Sequence, residues 1–372
     1  MSDPLFLEYF ESIDDPRQQG KVVHKLLDII FLTVSAVISG CQGWEDIEDF
    51  GHDRLNWLRK FVPFKNGIPR HDTIARVISR IDITQFQDSF SSWMKTCCKL
   101  THGEVIALDG KRLKGSFTQA DRRDALFMVS AFACENSVVL GQAQVDKKSN
   151  EINALPELLR LLEIKGCLVT IDAMGCQKSI AQKIIDKEAD YLLAVKANQK
   201  ALLKQIESAL LPKLAEQAKG GVLFNEADYQ RNREEFRCCA VSHDLKQLSE
   251  TVHWKSAKTI GVIASYRKEK GKISNELSYR YYISSAHLTA EELAISARQH
   301  WQIENGLHWR LDVGFREDGC RIRRQGAASV FAGLRHIAFN HLKAETSFKK
   351  GMPAKQKKAM RSTDYLEKVL SL

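Results

Sequence analysis

Residues Glu104–Gly110 (EVIALDG) and Cys167–Gly175 (CLVTIDAMG) decide how this chain is read. In each, four apolar or β-branched residues lead to one aspartate, Asp109 or Asp172, and a glycine or alanine then lets the backbone turn away. Short apolar runs bounded by turn signals are buried strands. Between them, residues 125–145 (ALFMVSAFACENSVVLGQAQV) hold two β-rich runs broken at Glu135-Asn136, which predicts a hairpin. Residues 152–164 (INALPELLRLLEI) and 177–189 (QKSIAQKIIDKEA) have helical periodicity, and 190–198 (DYLLAVKAN) is a further strand. The order strand, hairpin, strand, helix, strand, helix, strand predicts an α/β fold, a mixed sheet covered by helices. In such sheets functional residues gather at the carboxyl ends of strands.

Upstream, residues 1–98 read as an all-α region. Apolar residues recur at helical spacing in 26–40, 44–62 and 72–94. Pro69 marks a turn, and Asp72 or Thr73 is the expected N-cap of the next helix. Residues 67–81 (GIPRHDTIARVISRI) can be a turn and a DNA-reading helix carrying Arg76 and Arg80, or a plain packing helix. Downstream, 201–217 is helical and runs into a polar link at Lys219-Gly220-Gly221. Short strands are expected at 235–243, 259–271 and 278–286, making about 201–285 a β-rich insertion. Residues 288–313 (LTAEELAISARQHWQIENGLHWRLDV) form a helix, with Thr289 as N-cap and Glu292 completing a capping box. The tail from Lys343 carries eight Lys/Arg against three Asp/Glu and is expected to be partly solvated.

The 372 residues carry 55 Lys+Arg against 46 Asp+Glu, a net +9, with 44% hydrophobic and 27% charged residues. That balance excludes a mainly disordered or collagen-like chain and a multi-span membrane protein. The positive charge leans towards a polyanion, nucleic acid before membrane. Nine cysteines include the neighbours Cys97-Cys98 and Cys238-Cys239 and no Cys-x2-Cys pair, so buried thiols in a reducing cytosol are expected rather than a disulfide framework or a zinc site. The N-terminus shows no secretory signal, and the most apolar stretch, 26–38, contains Asp28 and is too short to span a bilayer.

Carboxylates at the ends of neighbouring strands can converge on one divalent cation, and Mg2+ is bound through such hard oxygens together with substrate phosphate. Two ions about 4 Å apart can activate a water or a 3′-hydroxyl and stabilise the leaving oxygen of a phosphodiester. Glu304 is the best-placed third carboxylate, with Asp312, Glu317 and Asp318 as alternatives. His300, Glu304 and His308, spaced by four, make a helical stripe that can flank an acidic site or ligate a transition metal by itself. Trp301 and Trp309 are core residues or base-stacking platforms. Lys111, Arg112 and Lys114 follow Asp109, while Arg298, His300, Arg310, Arg316, Arg321, Arg323 and Arg324 surround and follow Glu304. Basic groups flanking acids suit a DNA backbone; the bland alternative is a solvated face.

These blocks resemble those of DDE-type insertion-sequence transposases, closest to the H-repeat-associated group, over nearly the whole chain. IALDGKRLKGS resembles the block around that family's first aspartate, VTIDAMGCQ that around its second, and HWQIENGLHWRLDVGFREDGCRIRR that around its glutamate. The residues at those places here are Asp109, Asp172 and Glu304. The resemblance implies an RNase H-like catalytic core (99–342) with a β-rich insertion, preceded by a helical domain (1–98) that can bind DNA ends and followed by a basic tail (343–372). It implies metal-dependent phosphodiester hydrolysis and strand transfer on double-stranded DNA, with Asp109, Asp172 and Glu304 as catalytic metal ligands for Mg2+, Mn2+ substituting. It also implies a homodimer in the active complex and a bacterial cytoplasmic protein that joins the nucleoid when bound to DNA.

Two blocks depart from the wider pattern. Tyr-x2-Arg-x3-Glu-x6-Lys, aligned on Glu304, falls on Ala297, His300 and Leu311, with Arg298 and Arg310 one residue away. The family's phosphate-gripping roles are therefore not carried over. A His-Gly-Arg-x-Glu-x-Arg block reads Arg231-Asn232-Arg233-Glu234-Glu235-Phe236-Arg237. A DNA-binding remnant that no longer cuts, or a metal-dependent nuclease, are the alternative functions.

Overall fold

The computed structural model describes residues 4–116, 126–145, 151–220, 224–230, 233–246, 248–269, 272–273, 277–323 and 326–371. Arg324, Arg231 and Asn232 lie outside them. In chain order come α1 (Phe6–Phe10), α2 (Leu26–Ile38), α3 (Trp44–Leu58), α4 (His71–Ile78) and α5 (Ile83–Cys97). Then follow β1 (Val105–Arg112), β2 (Phe127–Ala133), β3 (Val138–Val145), α6 (Glu151–Leu161), β4 (Leu168–Ile171), α7 (Lys178–Asp186), β5 (Asp190–Val195) and α8 (Lys200–Gly220). Next are β6 (Phe224–Gln230), β7 (Arg233–Ser242), β8 (Thr259–Glu269), β9 (Lys272–Ile273), β10 (Ser278–Ser284) and α9 (Ala290–His300). The chain ends with α10 (Trp309–Phe315), α11 (Ala327–Ala344), α12 (Met352–Arg361) and α13 (Thr363–Leu370). These elements fall into two compact units: residues 1–99, 110–162 and 304–372, and residues 100–109 and 163–303.

In the second unit the strand order is β1-β4-β5-β10-β8-β7-β6. β1, β4 and β5 are parallel, and β10, β8, β7 and β6 continue antiparallel. The expected mixed α/β sheet is present. The parallel trio is apolar without alternation: Ile106, Ala107, Val169, Leu192 and Leu193 are all buried, as strands covered on both faces require. The β-rich insertion is continuous with this sheet, because β10 pairs antiparallel with β5, Tyr281 opposite Val195. Lys219 and Gly220 of the expected polar link belong to α8, and Gly221 lies outside the described residues.

In the first unit, α2 is apolar nearly all round and is therefore buried on every side, packed on α11, α3 and α1. An aromatic cluster surrounds it, with Phe6 near Phe31 and Trp93, and Phe10 near Phe86. The β2–β3 hairpin turns at the expected Glu135-Asn136 break. α4 starts one residue before the expected cap. The backbone N–H of His71 donates to Glu48 Oε2 of α3 at 2.7 Å, so an outside carboxylate satisfies the helix end in place of Asp72 or Thr73. α4 buries Ile74, Val77 and Ile78, leaves Arg76 exposed, and ends before Arg80. The tail is partly solvated, as expected, with Lys349, Lys350 and Lys357 exposed, but it is also folded. It forms α12 and α13, which bury Met352, Tyr365, Leu366 and Val369 against α11, α2 and each other, because its apolar residues recur at helical spacing between the lysines. Among the described residues no helix is long and apolar enough to cross a membrane.

Candidate active site

The ladder between β1 and β4 runs from Val105 opposite Leu168 to Leu108 opposite Ile171. Asp109 and Asp172 are the next residues on the two strands, so they stand at one level on neighbouring strands, which lie about 4.8 Å apart. Both are half-buried. β4 ends before Asp172 as expected, but β1 continues through Asp109 to Arg112, so the glycine after Asp109 does not end its strand. Asp172 Oδ1 accepts the backbone N–H of Met174 at 3.0 Å and of Gly175 at 3.3 Å, a local turn that fixes the carboxylate. Cys176 in the same loop is no nucleophile: burial first, and Asp172 second, push its thiol up to about 12.

Glu304 lies in the first unit, exposed, within a π-helical turn, Ile303–His308. Such turns recur at functional sites. Gly306 in this turn sits close to the Phe132 ring, where an added Cβ would come within 3.3 Å. The alternative third carboxylates are all engaged by lysines. Asp312 and Glu317 both accept from Lys111 Nζ, Glu317 at 2.8 Å, and Asp318 accepts from Lys114 at 2.7 Å. Lys111 also reaches the carbonyl of His308, the last residue of the π turn, at 3.4 Å. Burial would push the Glu317 carboxyl up, but Lys111, Arg335 and His336 hold it below the usual range. Among the described residues no group of three His, Cys, Asp or Glu side chains is gathered to hold a metal. The strand-end pair Asp109 and Asp172 still suits a hard cation, since Mg2+ is often held by one or two carboxylates plus substrate phosphates.

The residues expected to grip DNA divide sharply. Lys111 is turned inward and only 12% exposed, and its ammonium already neutralises two carboxylates. His300 also differs from an exposed cation. Burial pushes its ring down to about 4, against the pull of Asp172 and a hydrogen bond with Thr170 at 3.0 Å, so it is neutral at pH 7. Ala297 and Leu311, at the other departed positions, are core residues. Arg112, Arg298, Arg321 and Arg323 are exposed, and Lys114 is exposed while paired with Asp318. Arg310 is half-buried. Trp301 lies under the Arg280 guanidinium, 5.0 Å from its ring centroid.

Two positioning residues escape the sequence reading. Asn198 donates to the carbonyl of Ala173 at 2.7 Å, and Gln199 to that of Cys176 at 2.9 Å. Both lie just past β5 and hold the loop that follows Asp172. A signal for them exists in the sequence: polar residues at the carboxyl end of the next parallel strand.

Several known proteins are similar to this chain. Residues 101–341 match the family described as Transposase DDE domain, and residues 7–94 match one described as DDE_Tnp_1-associated. The chain is 49% identical over 373 residues to "Putative transposase YncI" of Escherichia coli O157:H7, covering 100% of this chain and 95% of that one. It is 47% identical over 371 residues to "H repeat-associated putative transposase YhhI" of Escherichia coli strain K12, covering 98% and 97%. A cryo-EM structure of a piggyBac transposase synaptic complex with hairpin DNA aligns over 100% of this chain and 82% of that one, with a TM-score of 0.44 and 9% identity, a likeness too low to bear on partner or chemistry.

Proposed function

This chain belongs to the transposase DDE domain family, and on that premise we propose that it cuts double-stranded DNA at the ends of its own element and joins the freed 3′-hydroxyl to target DNA. The observation that carries the reading is the register placing Asp109 and Asp172 side by side on parallel strands. Asp109, Asp172 and Glu304 are the proposed catalytic metal ligands. Bound Mg2+ or Mn2+ would supply Lewis-acid stabilisation of the oxygens that gain charge in phosphodiester displacement. The turn at Met174 and Gly175, with Asn198 and Gln199 behind it, keeps Asp172 oriented. Arg112, Lys114, Arg298, Arg310, Arg321 and Arg323 remain the proposed DNA contacts. We take 1–98 as the end-binding helical domain, 99–342 as the catalytic domain and 343–372 as its basic C-terminal segment, with a dimer holding paired ends in the cytoplasm.

The test is strand cleavage on labelled DNA carrying the gene's own flanks, with wild type and Asp109→Asn side by side in Mg2+, Mn2+ and chelator. Wild type is expected to nick at the element boundary only with metal, and Asp109→Asn to bind without nicking. Normal cutting by Asp109→Asn overturns the assignment. One observation favours a second reading, a DNA-binding remnant: the positions of the family's gripping Tyr, Arg and Lys are here a buried Ala297, a neutral His300 and a buried Leu311. Salt-sensitive binding by both proteins without any nick would select it.

A further inference from the structure

A cavity of about 620 Å³ lies between α10, the end of α11 and the start of α12. That is within the size range of small-molecule sites. Its walls are largely apolar, formed by Val313, Leu342, Phe348, Met352 and Pro353, and the indole of Trp309, 60% exposed, lines it. Five cations share this lining, Arg310, Lys343, Lys349, Lys350 and Lys355, against one acid, Glu345.

That acid is already engaged. Burial alone would raise the Glu345 carboxyl, but the hydroxyls of Ser347 and Tyr365 and the backbone N–H groups of Ser347 and Phe348 donate to it and hold it at about 2. Lys355 is engaged too, donating to the carbonyls of Leu342 and Glu345. Arg310 and Lys343 are different. Both are half-buried, and among the described residues neither is paired with a carboxylate. Burial, and then Arg310 and Lys355, hold the Lys343 ammonium below the usual lysine range. Like charges brought together in a half-dry apolar cavity are unfavourable until an anion joins them. An exposed indole beside them offers a flat ring its stacking surface.

We propose that this cavity is a nucleotide-binding pocket, with Arg310 and Lys343 holding the phosphate and Trp309 stacking on the base. Guanidinium and ammonium groups are strong charge-assisted donors to phosphate oxygens. The same chemistry can come from a free mononucleotide or from an unstacked nucleotide of a DNA strand, and only the second source rests on the transposase reading above. Trp309 follows Glu304 by five residues, which makes a strand running past Glu304 the nearer source.

Fluorescence of 2-aminopurine 5′-monophosphate, and of single-stranded oligonucleotides carrying 2-aminopurine at successive positions, tests this with the full chain. Quenching of at least one probe is expected in wild type, lost in Trp309→Ala and with affinity about 10-fold weaker in Lys343→Met, as for loss of one charge-assisted hydrogen bond. The unphosphorylated 2-aminopurine riboside should bind wild type more weakly than the nucleotide binds Lys343→Met, because it forgoes the contacts of both Arg310 and Lys343. Quenching of the free nucleotide assigns a mononucleotide site, and quenching at one oligonucleotide position alone assigns a strand site. No quenching of either probe, or quenching unchanged in both variants, overturns the pocket. Asp109→Asn is expected to quench like wild type, so a failed cleavage assay and a failed pocket are told apart.

Discussion

Glu317 is 2% exposed and meets two cations, Lys111 at 2.8 Å and Arg335 at 3.9 Å. Removing one partner of such a group leaves buried charge uncompensated, which costs about 3–5 kcal/mol. Arg335 stays in place, so Lys111→Met is expected at the low end, about 3 kcal/mol. Denaturant unfolding of wild type and Lys111→Met measures it, and a loss below about 0.5 kcal/mol, the range of an ordinary surface substitution, would show that the cluster is not a stabilising one. Lys111 also explains what is and is not legible at this scale. Asp109 and Asp172 can be read because the residues that define them are their own neighbours in sequence. The role of Lys111 cannot, because Asp312 and Glu317 come 201 and 206 residues later in the chain. His300 reads as a cationic DNA contact while its ring is neutral and packed, for a related reason: its burial and its Thr170 partner are set by packing on β4, which its helix does not announce.

At the scale of elements, α9 begins on a reciprocal cap. Thr289 accepts the N–H of Glu292 at 3.2 Å, and Glu292 accepts the N–H of Thr289 at 2.8 Å. Thr289→Ala should therefore destabilise the protein by about 1 kcal/mol, read from thermal or denaturant melts. A change near zero would mean that packing against β7 and β4 alone fixes the start of α9. This cap is legible because its two residues lie three apart. The Glu135-Asn136 hairpin is legible for the same local reason. The π turn at Ile303–His308 is not, since the extra residue in a π turn leaves the apolar pattern helical to the eye. β6 escapes notice too: FNEADYQ has little strand character and owes its place to the ladder with β7.

At the scale of the molecule, the first compact unit draws on residues 1–99, 110–162 and 304–372, an assembly that periodicity along the chain does not encode. Charge is the whole-chain property that can be read directly, and it makes a prediction. With a net +9, DNA binding should fall steeply with salt, by a slope in log K of about 0.9 for every phosphate neutralised. Arg321 and Arg323 are both exposed, and the Arg323 guanidinium is set against the carbonyl of Gly115 at 3.2 Å. If both contact phosphate, the variant Arg321→Ala/Arg323→Ala loses about two units from that slope, while Asp109→Asn, which removes an acid from the site, keeps at least the wild-type slope. Gel shifts between about 50 and 200 mM salt span the range where such contacts show. An unchanged slope in the double variant would remove this arginine pair from the DNA contacts and move the search to the exposed Arg76 of α4 and Arg80 just beyond it, where the helical N-terminal domain would then be the part that holds the DNA backbone.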